Sequence, residues 1–156
     1  MKFKMTEAIL SLGSNMGDRK LNLDLAIKSL KNIPHLDVIK VSSYYETEPF
    51  GVPDSQEKYF NCCVKVSTEL EPFALLGVCL GIESALGRRR TYRFSPRTID
   101  IDIIFYGDIK INEKHLIIPH PRFHERDFVL NPLKEICPNG YFKNFPLENN
   151  KLNPKE

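Results

Sequence analysis

From Tyr59 to Ser67 the side chains alternate, with Phe60, Cys62, Val64 and Val66 on one side and Tyr59, Asn61, Cys63 and Lys65 on the other. A period of two belongs to a strand, so this segment predicts one with a core face and a semi-polar face. Such a strand needs partners, and the flanking segments supply them. Glu7 to Leu12 is strand-like and gives way to the polar turn Gly13-Ser14-Asn15-Met16-Gly17-Asp18, which opens a helix. In that helix Leu23, Ala26, Ile27 and Leu30 fall at i, i+3, i+4 and i+7 on one apolar face, and Pro34 closes it. Leu36 to Tyr45 reads as another strand, and Glu46 to Lys58, with Pro49, Gly51, Pro53 and Asp54, as a loop.

Pro72 opens a second helix whose buried stripe is predicted to be Leu75, Cys79, Ile82 and Leu86, with Gly87 as its C-terminal cap and Glu83 at the border of the stripe. Ile99 to Tyr106 alternates again. It predicts Ile99, Ile101, Ile103 and Phe105 facing inward and Asp100 and Asp102 on the opposite face. A short hairpin is expected around Gly107-Asp108, a helical stretch near Phe123 to Cys137, and a solvated tail from Asn149 to Glu156. The order β-α-β-β-α-β, with helices on one side of a largely antiparallel sheet, is the ferredoxin-like pattern of the α+β class. A length of 156 residues suits one domain, read as 1–156.

Composition narrows the partners. The 22 Lys and Arg against 20 Asp and Glu leave a net charge of +2, so no global field announces one. The longest nearly apolar run, Phe73 to Ile82, is about half of a membrane span. Met1 to Leu10 carries charges and lacks the apolar stretch of a signal peptide. A cytoplasmic protein without a membrane partner is expected. Cys62, Cys63, Cys79 and Cys137 form no C-x-x-C pair, and they read as core residues.

The chemistry gathers near residue 100. In Asp100-Ile101-Asp102 two carboxylates share a strand face about 6.6 Å apart. They are either solvated acids or ligands for a hard cation such as magnesium, which takes one or two carboxylates and completes its shell with water and phosphate. Just before them stand Arg88, Arg89, Arg90, Arg93 and Arg97, with no acid among residues 88–97. Such a cluster is a solvated basic loop, a nucleic-acid contact, or a clamp for phosphate oxygens. A cationic segment leading into an acid pair suits phosphate transfer, where both neutralise a polyphosphate. No Walker motif is present, and Gly13 to Gly17 does not fit the dinucleotide fingerprint. Pro119-His120-Pro121-Arg122 holds a histidine, structural or functional, in a stiff segment, with Arg126 and Phe128 beyond it.

Taken in order, Leu12-Gly13-Ser14-Asn15-Met16-Gly17-Asp18-Arg19, Ser42-Ser43-Tyr44-Tyr45-Glu46-Thr47, Tyr59-Phe60-Asn61, Pro96-Arg97-Thr98-Ile99-Asp100-Ile101-Asp102 and Pro119-His120-Pro121-Arg122 resemble the 6-hydroxymethyl-7,8-dihydropterin pyrophosphokinase family. The resemblance runs from Leu10 to about Pro138. It implies an enzyme of folate biosynthesis that moves diphosphate from ATP to a pterin alcohol, releasing AMP. It makes Asp100 and Asp102 ligands of two magnesium ions, with ATP as co-substrate and Arg88 and Arg97 as catalytic arginines. Arg88, Arg90, Arg93, Arg97, His120 and Arg126 would hold the polyphosphate, with Glu83 and Ile103 near the nucleotide. Tyr59, Asn61 and Phe128, with the backbone around Thr47 and Phe50, would form the pterin slot.

The chain departs from the family at Leu80, commonly Gln, at Phe94-Ser95, commonly Trp-Gly, and at Glu48, often a small residue or proline. Residues 88–97 are expected to close over the nucleotide as a lid. A monomer with no nucleic-acid partner is expected. Two rivals differ in class. A nucleic-acid-binding module would use the arginines and not the acids, and another two-metal enzyme, a nuclease or nucleotidyl transferase, would have no use for the Tyr59, Asn61 and Phe128 slot.

Overall fold

The computed structural model describes residues 4–48, 58–87 and 98–148. Its sheet is built from β1 (Thr6–Ser14), β2 (Leu36–Val41), β3 (Tyr45–Thr47), β4 (Tyr59–Thr68) and β5 (Asp100–Tyr106). The order is β2-β4-β1-β5, with β3 pairing β4 beyond the end of β2. Each of these pairings is antiparallel. With α1 (Arg19–Lys31) between β1 and β2 and α2 (Pro72–Ala85) between β4 and β5, this is the ferredoxin-like α+β arrangement. Asp18 caps α1, its carboxylate accepting from the Leu21 amide at 3.1 Å.

Both sheet faces are packed. On one, Leu23, Ala26, Ile27 and Leu30 of α1 and Leu75, Cys79 and Ile82 of α2 close over Ala8, Leu10, Leu12, Cys62, Val64, Val66, Ile101 and Ile103. On the other, α3 (Asp127–Ile136) brings Val129, Leu130, Leu133 and Ile136 onto Ile9, Cys63, Ile104 and Phe105. So the helices do not all lie on one side, and the second face of β4 is not semi-polar throughout: Cys63 is fully buried. Among the described residues that apolar packing stops partway along the face. The following rows carry Ser11, Gly13, Asn61, Asp100 and Asp102.

Other expectations are corrected by local pairing. The Leu36–Tyr45 strand breaks at residues 42–44, because the Ser42 hydroxyl accepts the Cys63 amide at 2.9 Å in place of a continuing ladder. Gly13 and Ser14 belong to β1 rather than to a turn. Phe105 faces α3, not the first core: Leu10 pairs with Ile103 and Ile9 with Phe105, so Ile104 is an extra residue that flips the alternation. The hairpin after Gly107 is β6 (Ile111–Glu113) and β7 (Leu116–Ile118), turning at Lys114-His115. The segment 123–137 divides into a 3-10 turn, Phe123–Glu125, and α3. Two short strands, β8 (Tyr141–Phe142) and β9 (Phe145–Pro146), follow. Glu83 is buried within the α2 stripe rather than at its border, while Leu86 is only half-buried. Gly87 adopts a φ of +89° and its amide bonds Ser84, as a helix-ending glycine does. All four cysteines are free and buried. Among the described residues no helix is long and apolar enough to cross a membrane.

Candidate active site

Strand register assembles the site in two rows. Asp100 of β5 pairs with Gly13 of β1, Gly13 with Asn61 of β4, and Asn61 with Tyr45 of β3. One step along, Asp102 pairs with Ser11 and Ser11 with Cys63. Paired residues project to the same face. Two strand spacings put the Asp100 and Asn61 backbones about 10 Å apart. The only side chain between the two rows' ends on β1 is that of Ser11, since Gly13 has none.

At the β4 end, Asn61 is 2% exposed and donates from Nδ2 to Thr47 Oγ1 at 2.7 Å. Thr47 pairs with Tyr59, which shares the Asn61 face. A Cβ on residue 13 would stand 2.8 Å from Asn61 Oδ1 and 3.4 Å from the Tyr59 ring. Gly13 is therefore required by close approach. The sequence alone predicts a turn at Gly13, and its place directly after β1's apolar run is the signal for a strand glycine instead. Arg19, which no local pattern marks, also contributes. It donates to the Lys58 carbonyl at 2.7 Å, pairs with Glu46 at 3.3 Å and lies 4.5 Å from the Phe60 ring centre, tying α1 to the ends of β3 and β4.

At the β5 end, Asp102 is exposed and Asp100 half-buried. Among the described residues no three His, Cys, Asp or Glu gather as a metal cage. Two carboxylates alone fit a hard cation that draws its remaining ligands from water and a substrate phosphate, and they do not fit a structural metal. Between them, the Ile101 amide donates to Glu83 Oε2 at 2.7 Å. Among the described residues β5 is the sheet's edge strand, and this bond satisfies an outward amide that no described strand pairs.

Around that edge, a cavity of about 250 Å³ reaches from Asp102 to His120 between α2, β5 and the β6–β7 hairpin, with Leu76, Ile101, Ile103 and Ile117 as its apolar lining. Burial, with Arg126 and Arg122 nearby, pulls the His120 imidazole down to about 4. The ring is neutral at pH 7, and its Nδ1 accepts from the Arg122 amide at 3.3 Å, which puts the proton on Nε2. Arg126 lies 5.7 Å from the Phe128 ring centre at the start of α3. The Val129 carbonyl is 3.7 Å from Cys63 Sγ, so this helix end lies one same-face position from Asn61.

The structure thus groups Thr47, Tyr59 and Asn61, sets Asp100 and Asp102 across β1 from them, and places Ile103, Asp102 and His120 on one cavity. Glu83 is turned to the backbone of β5. Phe50, Arg88, Arg89, Arg90, Arg93, Arg97, Phe94 and Ser95 lie outside the described residues, as do the expected lid and tail. Leu80 is exposed on α2 and Glu48 pairs with Lys58 at 3.5 Å. The cysteines offer no nucleophile: burial pushes Cys62 and Cys79 up to about 12 and Cys63 well above the usual thiol range.

Residues 9–138 match the model of the 7,8-dihydro-6-hydroxymethylpterin-pyrophosphokinase (HPPK) family. A 2-amino-4-hydroxy-6-hydroxymethyldihydropteridine pyrophosphokinase of Bacillus subtilis is 47% identical over 130 residues, 83% of this chain and 77% of the relative. One from Methylorubrum extorquens is 46% identical over 134 residues, 86% of this chain and 84% of the relative. Among solved structures, the Plasmodium falciparum HPPK-DHPS wild type with pteroate shares the fold with a TM-score of 0.71 at 18% identity. The match covers 94% of this chain and 42% of that one, so the chain spans about two fifths of the fused protein's length.

Proposed function

The chain belongs to the 7,8-dihydro-6-hydroxymethylpterin-pyrophosphokinase family, and we propose that the Asp100–Gly13–Asn61 row is the trough in which it transfers diphosphate from ATP to 6-hydroxymethyl-7,8-dihydropterin. The observation that carries this assignment is the register: it sets an acid pair and a buried carboxamide on one face, about 10 Å apart across a strand that offers only Gly13 and Ser11 between them. That is room for a diphosphate and a hydroxymethyl group. Neither rival reading uses such an arrangement.

At one end Asn61, with Thr47 holding one of its N–H groups, keeps Oδ1 and a second N–H for the edge of a heterocycle. Tyr59 and Phe128 supply aromatic faces for its plane, with the backbone near Thr47 and Phe50 closing the slot. The nucleotide takes the cavity beside Ile103 and His120. The neutral His120 gives a phosphate oxygen one N–H donor, Arg126 adds a guanidinium, and Arg88, Arg90, Arg93 and Arg97 enter from the segment between α2 and β5.

Asp100 and Asp102 would hold magnesium, two ions in our reading, which would neutralise charge on the phosphate oxygens. The hydroxymethyl oxygen attacks the β-phosphorus, the bond from that phosphorus to the α–β bridging oxygen breaks, AMP leaves, and the hydroxyl proton passes to water. Alignment and charge neutralisation carry the rate, so no strong base is needed. A working monomer belongs to this reading, and the buried, free cysteines suit the cytoplasm.

The test is purified protein with ATP, magnesium and the pterin alcohol, scored for nucleotide product. AMP and pterin diphosphate should form one for one, and turnover should stop on chelation and fall at least ~100-fold in Asp100→Ala and Asp102→Ala with the fold retained. Accumulation of ADP, or near-normal turnover in either variant, contradicts the assignment.

A further inference from the structure

The three-residue strand β3 and the residue before it are fastened from both faces of the sheet. Consecutive tyrosines point to opposite layers: Tyr44 donates to Asp24 Oδ1 on α1 at 2.5 Å, and Tyr45 donates to Glu135 Oε1 on α3 at 2.6 Å. The other oxygen of Glu135 accepts from the Ser43 amide at 2.9 Å and from the Ser43 hydroxyl at 3.2 Å. One carboxylate therefore closes three hydrogen bonds on residues 43 and 45, across some 90 positions of sequence. These bonds hold its carboxyl below the usual carboxylate range, the Tyr45 contact being the largest cause.

What lies at the two ends of this tie gives it a consequence. Tyr45 pairs with Asn61, and Thr47, on the same short strand, receives the Asn61 carboxamide. Phe128 sits on the same helix as Glu135, two turns earlier, where α3 meets β4 at Cys63. The tie thus joins the element carrying one aromatic wall to the element that orients the recognition side chain.

We propose that Glu135 is a positioning residue for the pterin, setting α3 and its Phe128 against β3 and Asn61 without touching either substrate. This deepens the functional reading above and rests on it. Tying chiefly one of the two substrate ends predicts a selective effect, since Asp100, Asp102, Ile103 and His120 lie on other elements and, of the described residues assigned to the nucleotide, only Arg126 adjoins α3.

The experiment compares wild type, Glu135→Ala and Glu135→Gln by steady-state kinetics, and by calorimetric titration of the pterin alcohol in the presence of magnesium and a non-hydrolysable ATP analogue. Alanine should raise the pterin KM and Kd about tenfold while the ATP KM stays within about twofold. Glutamine can accept from Ser43 and donate to the Tyr45 oxygen, so it should restore binding to within about twofold of wild type. An unchanged pterin KM, or an equal rise for both substrates, overturns the proposal. Should alanine fail to fold, Tyr45→Phe, which removes one of the three bonds, must still raise the pterin KM selectively, and no rise overturns it. A wild-type protein that neither binds the pterin nor forms AMP removes the functional reading itself, an outcome distinct from a non-selective variant.

Discussion

Gly13 shows how much one missing side chain can decide. Its backbone is not in the left-handed region, so the constraint is space alone: a methyl group would press on the Asn61 oxygen at 2.8 Å. Gly13→Ala should push the carboxamide off Thr47, raise the pterin KM at least ~10-fold and cost about 1–3 kcal/mol of stability. Kinetics and denaturant unfolding check both, and an unchanged KM would mean that the residue 13 row is not the substrate floor. His120 makes a second residue-scale prediction. Its folded value of about 4 lies below the ordinary imidazole value of 6.5, so the unfolded chain binds the extra proton between those values. Stability contributed by the neutral ring is complete above about pH 6.5 and is lost as pH falls toward 4. Thermal midpoints should therefore fall more steeply over that window in wild type than in His120→Gln. Bound polyphosphate should raise the imidazole value, which NMR titration with and without magnesium-ATP would show.

At the scale of elements, a buried carboxylate ties α2 to β5 beside the apolar packing of Cys79 and Ile82 on Ile101 and Ile103. Glu83→Gln keeps an acceptor for the Ile101 amide, whereas Glu83→Leu leaves that amide unsatisfied and should cost about 1–3 kcal/mol. Chemical denaturation of the two variants gives the comparison, and equal stabilities would show that the bond does not hold the acid strand in place. Element identity was legible where one periodicity dominated. The stripes Leu23-Ala26-Ile27-Leu30 and Leu75-Cys79-Ile82 lie buried on α1 and α2, and alternation located β4. It failed where a strand is covered on both faces. In β1 both Ile9 and Leu10 are fully buried, in different cores, so hydropathy there carries no orientation. Nothing in Ile103-Ile104-Phe105 marks the bulge, which exists only in the pairing with β1. Gly13 resembled a turn glycine because Ser14, Asn15 and Gly17 follow it. Glu135 belongs to no local pattern, and its partners lie some 90 residues away.

The whole molecule is a sheet whose faces are used differently. α1 and α2 close one face with apolar packing, while α3 gives the other an apolar core over only part of its length. The remaining rows bear Ser11, Gly13, Asn61, Asp100 and Asp102, groups that need polar partners rather than apolar cover. That division places the chemistry beside a rigid core and lets register, not loop conformation, fix the separation between acid pair and carboxamide. The most direct test of this account is a crystal structure of the protein with magnesium, a non-hydrolysable ATP analogue and the pterin alcohol. It should show metal on the Asp100 and Asp102 carboxylates, the pterin edge on Asn61, and the phosphate chain crossing above Gly13. Metal held by other residues, or a pterin seated away from Asn61, would contradict it.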